Sequence, residues 1–159
     1  MTSPEPSAPN LPSRPSDGAD AALYDAIATE HGIIYGYGMV SAHSLPELNW
    51  LVSASIAEHR ARREAAIARL EEREVAPPLP AAGYQLPMPV NNPEEAAKLA
   101  VRMEEDAAAA WRAVIEQASD TEDREFAVTA LIQSAVAAAR WTQVLGSGPV
   151  TVPFPGGNE

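Results

Sequence analysis

Five prolines lie within the eighteen residues "VAPPLPAAGYQLPMPVNN", 75–92, close to the middle of the chain. A proline has no amide hydrogen and its ring collides with the preceding helical turn, so this stretch is excluded from helix and favours an extended backbone. On both sides of it, apolar residues recur at helical spacing. We therefore expect two helical halves joined by one long connection, called the link below.

Each half contains two predicted helices with recognisable terminal signals. In "SLPE", Ser44 and Glu47 have the spacing of a capping box, which would begin the second helix. Asn92 and Pro93 are suited to the N-cap and first position of the third. No segment alternates in the manner of a strand, which indicates an all-α fold. The predicted helices cover about 17–42, 44–74, 93–118 and 120–145.

The lengths of the connections favour one arrangement of these helices. About two residues join the first helix to the second and the third to the fourth, whereas the link has eighteen. A helix of about 27 residues is about 40 Å long, and a link of this length in polyproline II reaches about 55 Å. A long crossover between the second and third helices is the connectivity of ferritin-like four-helix bundles.

The two ends of the chain differ from its middle in composition. Residues 1–16 are rich in Pro and Ser and have few large apolar side chains, so we expect a disordered tail. Residues 148–159 contain prolines and glycines and are expected to be extended or mobile. One four-helix domain, 17–147, is predicted between these tails.

Charge and residue types exclude several classes of function. The formal net charge of -11 disfavours binding to nucleic acid or to anionic membranes. Neither a signal peptide nor a membrane span is predicted, so a soluble, cytoplasmic protein is expected. Because the chain has no cysteine, any metal would require carboxylates and the three histidines, His31, His43 and His59.

Several polar residues lie on the apolar stripes that are predicted to face the core. Glu30 and Tyr37 share the stripe of the first helix, while His31 is expected at its edge. His59 and Arg63 lie one turn apart on the stripe of the second helix. The third helix contributes Glu104, and the fourth offers Glu125 as the only candidate ligand well within its length.

Three segments resemble a known family: "EHGIIYGYG", "EHRARRE" and "GYQLPMPVNNPEEAAKLAVRMEEDAAAAWRAVI". Over about residues 20–147 the chain is similar to an uncharacterised family of bacterial ferritin-like domains. The resemblance implies a four-helix ferritin-like fold. It implies no settled activity, because that family is known mainly as a domain of unknown function.

Ferritin-like di-iron proteins take one Glu from each of two helices and a Glu-x-x-His pair from each of the others. Glu30, His59 and Glu104 match three of these positions, but Ile56 occupies the position of one bridging glutamate and Val128 that of one histidine. The di-metal motif is therefore incomplete. An iron or manganese site in an oxidoreductase or iron-handling protein is the alternative function, with these candidate ligands: Glu30, Glu58, His59 and Glu104.

Arg63 favours a different function, because its permanent charge would replace that of a metal beside the carboxylates. The leading hypothesis is a non-catalytic structural or partner-binding module that has no cofactor and no catalytic residues. An unidentified protein partner and a homodimer through helix faces, the alanine-rich fourth helix in particular, are expected. The predicted buried polar network comprises Glu30, Tyr37, His59, Arg63 and Glu104.

Overall fold

The computed structural model describes residues 11–157. It contains four long helices and one 3-10 turn, Pro46–Leu48, which lies between the first two helices. The predicted all-α class and the number of helices are confirmed, and residues 11–157 contain no strand. The helices are α1 (Gly18–His43), α2 (Asn49–Glu72), α3 (Pro93–Gln117) and α4 (Thr121–Leu145).

Side-chain caps begin three of the four helices. The carboxylate or amide oxygens of Asp17, Asn92 and Asp120 accept hydrogen bonds from backbone N–H groups in the first turns of α1, α3 and α4. The capping box predicted at Ser44 and Glu47 is wrong. Since the residue before a proline is pushed out of the helical region, the chain stays extended through Leu45, and α2 begins only at Asn49, without a side-chain cap.

The core lies between α1 and its neighbours. Helix α1 packs against both α2 and α3, and α3 packs against α4. The largest fully buried side chains include Trp111, Trp141 and Tyr37. At Gly36, a Cβ atom would collide with the sulfur of Met103. The absence of a side chain there allows α1 and α3 to approach closely.

The link lies along α1. The Nε2 of His31 donates to the carbonyl oxygen of Pro78 at 3.1 Å. Further along the link, the ring of Tyr84 lies 5.3 Å from the ring of Tyr35, and Leu86 lies beside Gly36. Because later link residues contact later α1 residues, the link runs in the same direction as α1.

A group of charged side chains holds one end of the helices together. Asp123, at the start of α4, is 2% exposed, accepts from Arg69 at 3.1 Å and pairs with Arg73. Arg73 also binds Asp20 of α1 at 3.0 Å. The end of α2 is thereby joined to the beginnings of α1 and α4.

Segments outside the helices also make specific contacts. Near the beginning, Arg14 pairs with Asp25 at 2.7 Å; residues 1–10 of the predicted tail lie outside the described residues. Near the other end, Gly156 has φ 77°, and a Cβ atom there would lie 2.6 Å from the carbonyl oxygen of Ala108. A glycine is therefore required where this segment returns to α3. Within residues 11–157, no helix is long and apolar enough to cross a membrane.

Candidate functional site: a buried ionic network

The imidazole of His59 lies between two carboxylates from different helices. Its Nδ1 is 2.6 Å from Oε2 of Glu30, and its Nε2 is 3.0 Å from Oε1 of Glu104. All three side chains are at most 1% exposed. An ionised carboxylate only accepts hydrogen bonds, so with a carboxylate oxygen beside each ring nitrogen the geometry is that of an imidazolium that donates to both.

Hydroxyl and indole donors also bind the carboxylates, although Oε2 of Glu104 is buried without a hydrogen-bond partner. Tyr37 donates to Oε1 of Glu104 at 2.5 Å, and Trp141 donates to the Tyr37 hydroxyl at 3.0 Å. Trp111 donates to Oε1 of Glu30 at 2.7 Å. Buried aromatic side chains with one polar atom thus hold both carboxylates in place.

Arg62 contributes the second positive charge of the network. Its Nη1 donates to Glu30 at 3.1 Å and to the Ser134 hydroxyl at 2.9 Å, and its Nη2 donates to Gln133 at 3.1 Å. Two carboxylates therefore balance one imidazolium and one guanidinium. All four helices contribute to this neutral network, which satisfies the requirement that buried charges be paired.

The environment shifts the pKa values in directions that match this charge assignment. Burial lowers the pKa of His59, but hydrogen bonds to Glu104 and Glu30 outweigh it and raise the pKa from 6.5 to about 9. Burial raises the pKa of Glu30, whereas the hydrogen bond from His59 and the nearby charges bring it below its usual value. Burial and Glu104 raise the pKa of Tyr37 well above its usual value. Near neutral pH, His59 is charged, Glu30 is ionised and Tyr37 is a neutral donor.

Four of the five residues predicted for the network lie together: Glu30, Tyr37, His59 and Glu104. The prediction for Arg63 needs correction. Arg63 lies at the helix surface and pairs with its neighbour Glu64 at 2.6 Å, while Arg62 occupies the predicted position. The small residues Ser55 and Ala66 form the inner face of α2 with His59 and Arg62, so the centre of its stripe lies one residue earlier than the bulky isoleucines indicated.

Other candidate ligands lie away from the carboxylates of the network. Glu58 has a side chain that is 37% exposed, and it approaches Arg62 only at 3.9 Å. Glu125 is exposed on α4. His31, which was expected at the edge of the helix stripe, is buried beneath the link and bound to it.

Several members of the network were missed in the sequence. Trp111 was on the predicted inner stripe of α3, and its indole N–H, which needs an acceptor when buried, was a usable signal. Trp141 offered the same signal. Ser134 and Gln133 lie in the alanine-rich part of α4 and have no distinguishing local pattern.

The residues present do not fit the metal centre that a ferritin-like fold implies. A histidine binds a metal through an unprotonated nitrogen, whereas both nitrogens of His59 donate to carboxylates. The guanidinium of Arg62 adds a fixed positive charge beside Glu30. Across residues 11–157, no group of three or more His, Asp or Glu side chains is arranged to hold a metal ion.

The fold and this site define an all-helical domain whose helices meet at a neutral, fully buried ionic network. Residues 22–159 match the model of the family described as a domain of unknown function, DUF4439, and the chain belongs to that family.

Among solved structures, the chain is similar to the crystal structure of Rv2844, a conserved hypothetical protein from Mycobacterium tuberculosis. The identity is 54%, the match covers 82% of this chain and 99% of that one, and the TM-score is 0.81. No curated protein has a significant match to this chain.

Proposed function

We propose that this domain is a non-catalytic structural or partner-binding module whose helices are held in register by the buried ionic network. The observation that carries the proposal is the position of His59, which uses both nitrogens to join Glu30 and Glu104. A catalytic acid or base must reach a reacting group, directly or through one water. His59, at 1% exposure, has neither a free nitrogen nor access to solvent.

The network is suited to setting the pairing of helices. His59 of α2 binds Glu30 of α1 and Glu104 of α3, while Arg62 binds Ser134 of α4. If one helix slipped by a turn, buried charges would lose their partners, at a cost of several kcal/mol. Alternative helix registers are thereby disfavoured.

We also infer that the connectivity is ferritin-like. Contacts of Glu30 with His59 and of Asp20 with Arg73 support an antiparallel pairing of α1 and α2. Contacts of Tyr37 with Glu104 and of Glu30 with Trp111 support the same relation between α1 and α3. Helices α2 and α3 would then be parallel, so the link between them must run the length of the bundle, as its contacts along α1 support.

In this proposal a metal site has been replaced by fixed charges. Arg62 and the His59 imidazolium supply the two positive charges that Glu30 and Glu104 need, so neither carboxylate requires iron or manganese. The alternative, a metal-dependent oxidoreductase or iron-handling protein, would require His59 to lose a proton and leave one carboxylate.

Metal analysis of untagged protein, purified after growth with added iron and manganese, tests the proposal. We expect less than stoichiometric metal in the wild type and no change in Glu30→Gln. Glu105→Gln, on the exposed side of α3, is the matched control. One or two metal ions per chain that disappear in Glu30→Gln and remain in Glu105→Gln would contradict the proposal.

A further inference from the structure

Exposed apolar side chains are concentrated on α4 and the segment after it. Residues 11–157 have twelve large apolar side chains that are at least 36% exposed, and seven of them belong to this region. Ile132, at the middle of α4, is 54% exposed. An apolar surface of this kind on a soluble domain is typical of a contact site. The seven are Val128, Ile132, Val136, Val144, Val150, Val152 and Phe154.

The distribution of charge along α4 also distinguishes this surface. Residues 126–139 contain no Asp, Glu, Lys or Arg, although the chain as a whole has a net charge of -11. Glu125 and Arg140 lie at the two ends of this uncharged stretch, and both are exposed. Neither side chain has an ion-pair partner within residues 11–157.

These features are self-complementary under one twofold rotation. Val128, Ile132 and Val136 follow one another at intervals of four and form an exposed ridge of the kind that packs into the grooves of another helix. Ile132 lies seven residues after Glu125 and eight before Arg140. An antiparallel copy of α4, crossing at Ile132, brings Glu125 of each chain close to Arg140 of the other.

We propose that α4 forms a symmetric homodimer by packing antiparallel against α4 of a second copy of this chain, with Ile132 at the twofold axis. This deepens the proposed partner-binding function, and rests on it, by naming the partner. The interface is isologous, so each favourable contact occurs twice. A parallel pairing would oppose Glu125 to Glu125 and Arg140 to Arg140, and this repulsion selects the antiparallel arrangement.

A groove beside the ridge gives the second copy room to insert side chains. It has a volume of about 540 Å³ and lies between α3, α4 and residues 149–156. Ile132 and Val136 form part of one wall, and Val150 and Val152 form part of the other. Apolar side chains of the second α4 would bury these surfaces, which favours association through the hydrophobic effect.

Sedimentation equilibrium of the full chain at micromolar to submillimolar concentrations tests the dimer. We expect a wild-type dimer and a monomer for Ile132→Glu. Leu79→Glu, an exposed site on the link, is the matched control and should remain dimeric. A monomeric wild type, or a dimer that persists in Ile132→Glu, would overturn the proposal.

Charge reversal separates this arrangement from other modes of association. Glu125→Arg and Arg140→Glu should each weaken the dimer by about tenfold or more, since each substitution alters two contacts. The double variant should restore it, and a double variant as weak as either single one would overturn the antiparallel geometry. Circular dichroism should show folded monomers, and metal analysis of the same samples keeps this test separate from that of the network.

Discussion

Arg62 of α2 donates a hydrogen bond to the hydroxyl of Ser134 on α4 at 2.9 Å, and the same nitrogen donates to Glu30 of α1 at 3.1 Å. One guanidinium nitrogen thus connects three helices within the core. Its charge is compensated by the carboxylates of the network and not by solvent. The difference between Arg62 and its neighbour Arg63 therefore offers a test within one turn of helix.

Arg62→Met should destabilise the domain by about 3–5 kcal/mol, because it leaves two buried carboxylates with a single positive charge, that of His59. Arg63→Met should change stability by less than about 0.5 kcal/mol, since Arg63 makes a partly exposed pair with Glu64. Urea denaturation of both variants measures the difference. Equal effects, or a larger loss in Arg63→Met, would show that the network does not depend on Arg62.

Stability should fall as the pH rises above neutral. The pKa of His59 in the folded state is about 9, against 6.5 for a free imidazole, so its stabilising contribution is complete below pH 6.5 and is lost as the pH passes about 9. That difference corresponds to about 3 kcal/mol. Denaturation curves between pH 6.5 and about pH 9.5 measure the loss, and this slope should be much smaller in His59→Met.

At acidic pH, protonation of Glu30 should lower the stability of the domain. Its pKa is lowered in the folded protein from an ordinary value of 4.5, so its contribution is present above pH 4.5 and lost as the pH falls further. The raised pKa of Tyr37 acts only above its ordinary value of 10, outside the range used for His59.

A wild type whose stability is constant from pH 6.5 to about pH 9.5 would contradict a charged His59.

The attachment of the link to α1 should depend on His31. His31→Leu removes the donor to the Pro78 carbonyl and leaves that buried acceptor unsatisfied, which costs about 1–3 kcal/mol. We expect faster hydrogen exchange in residues 79–86, measured by mass spectrometry. His43→Leu is the control, because within residues 11–157 the His43 ring bonds only to Met39 of its own helix. Unchanged exchange in His31→Leu would indicate that other contacts hold the link.

Helical spacing and the terminal signals were enough to predict the four helices and the inward positions of Glu30, His59 and Glu104. The same spacing does not separate Arg62 from Arg63. These residues lie three and four positions after His59, and both positions fall on the same face of the helix as His59. Packing determines which of the two arginines faces the core, because the small residues Ser55 and Ala66 allow α2 to approach its neighbours on the side of Arg62. The bulky Ile56 and Ile67 indicate an inner stripe of α2 that lies one residue later than the buried one.

The hydrogen-bond acceptors on α4 could not be predicted from the sequence, for a different reason. Gln133 and Ser134 receive hydrogen bonds from Arg62, which is more than seventy residues earlier. Only the fold brings them together, so no local pattern indicates their role. His31 was placed at the edge of a stripe for the same reason, since the link that buries it is distant in sequence.

The protonation state of His59 distinguishes the ionic network from a metal site. Nitrogen-15 NMR of histidine-labelled protein near pH 7 measures it directly, with His59→Gln used to assign the signals. We predict that both ring nitrogens of His59 carry protons, give separate N–H signals and remain unchanged when iron or manganese is added. A His59 with one unprotonated nitrogen, or a signal that shifts or broadens on stoichiometric addition of metal, would contradict an imidazolium bound to two carboxylates.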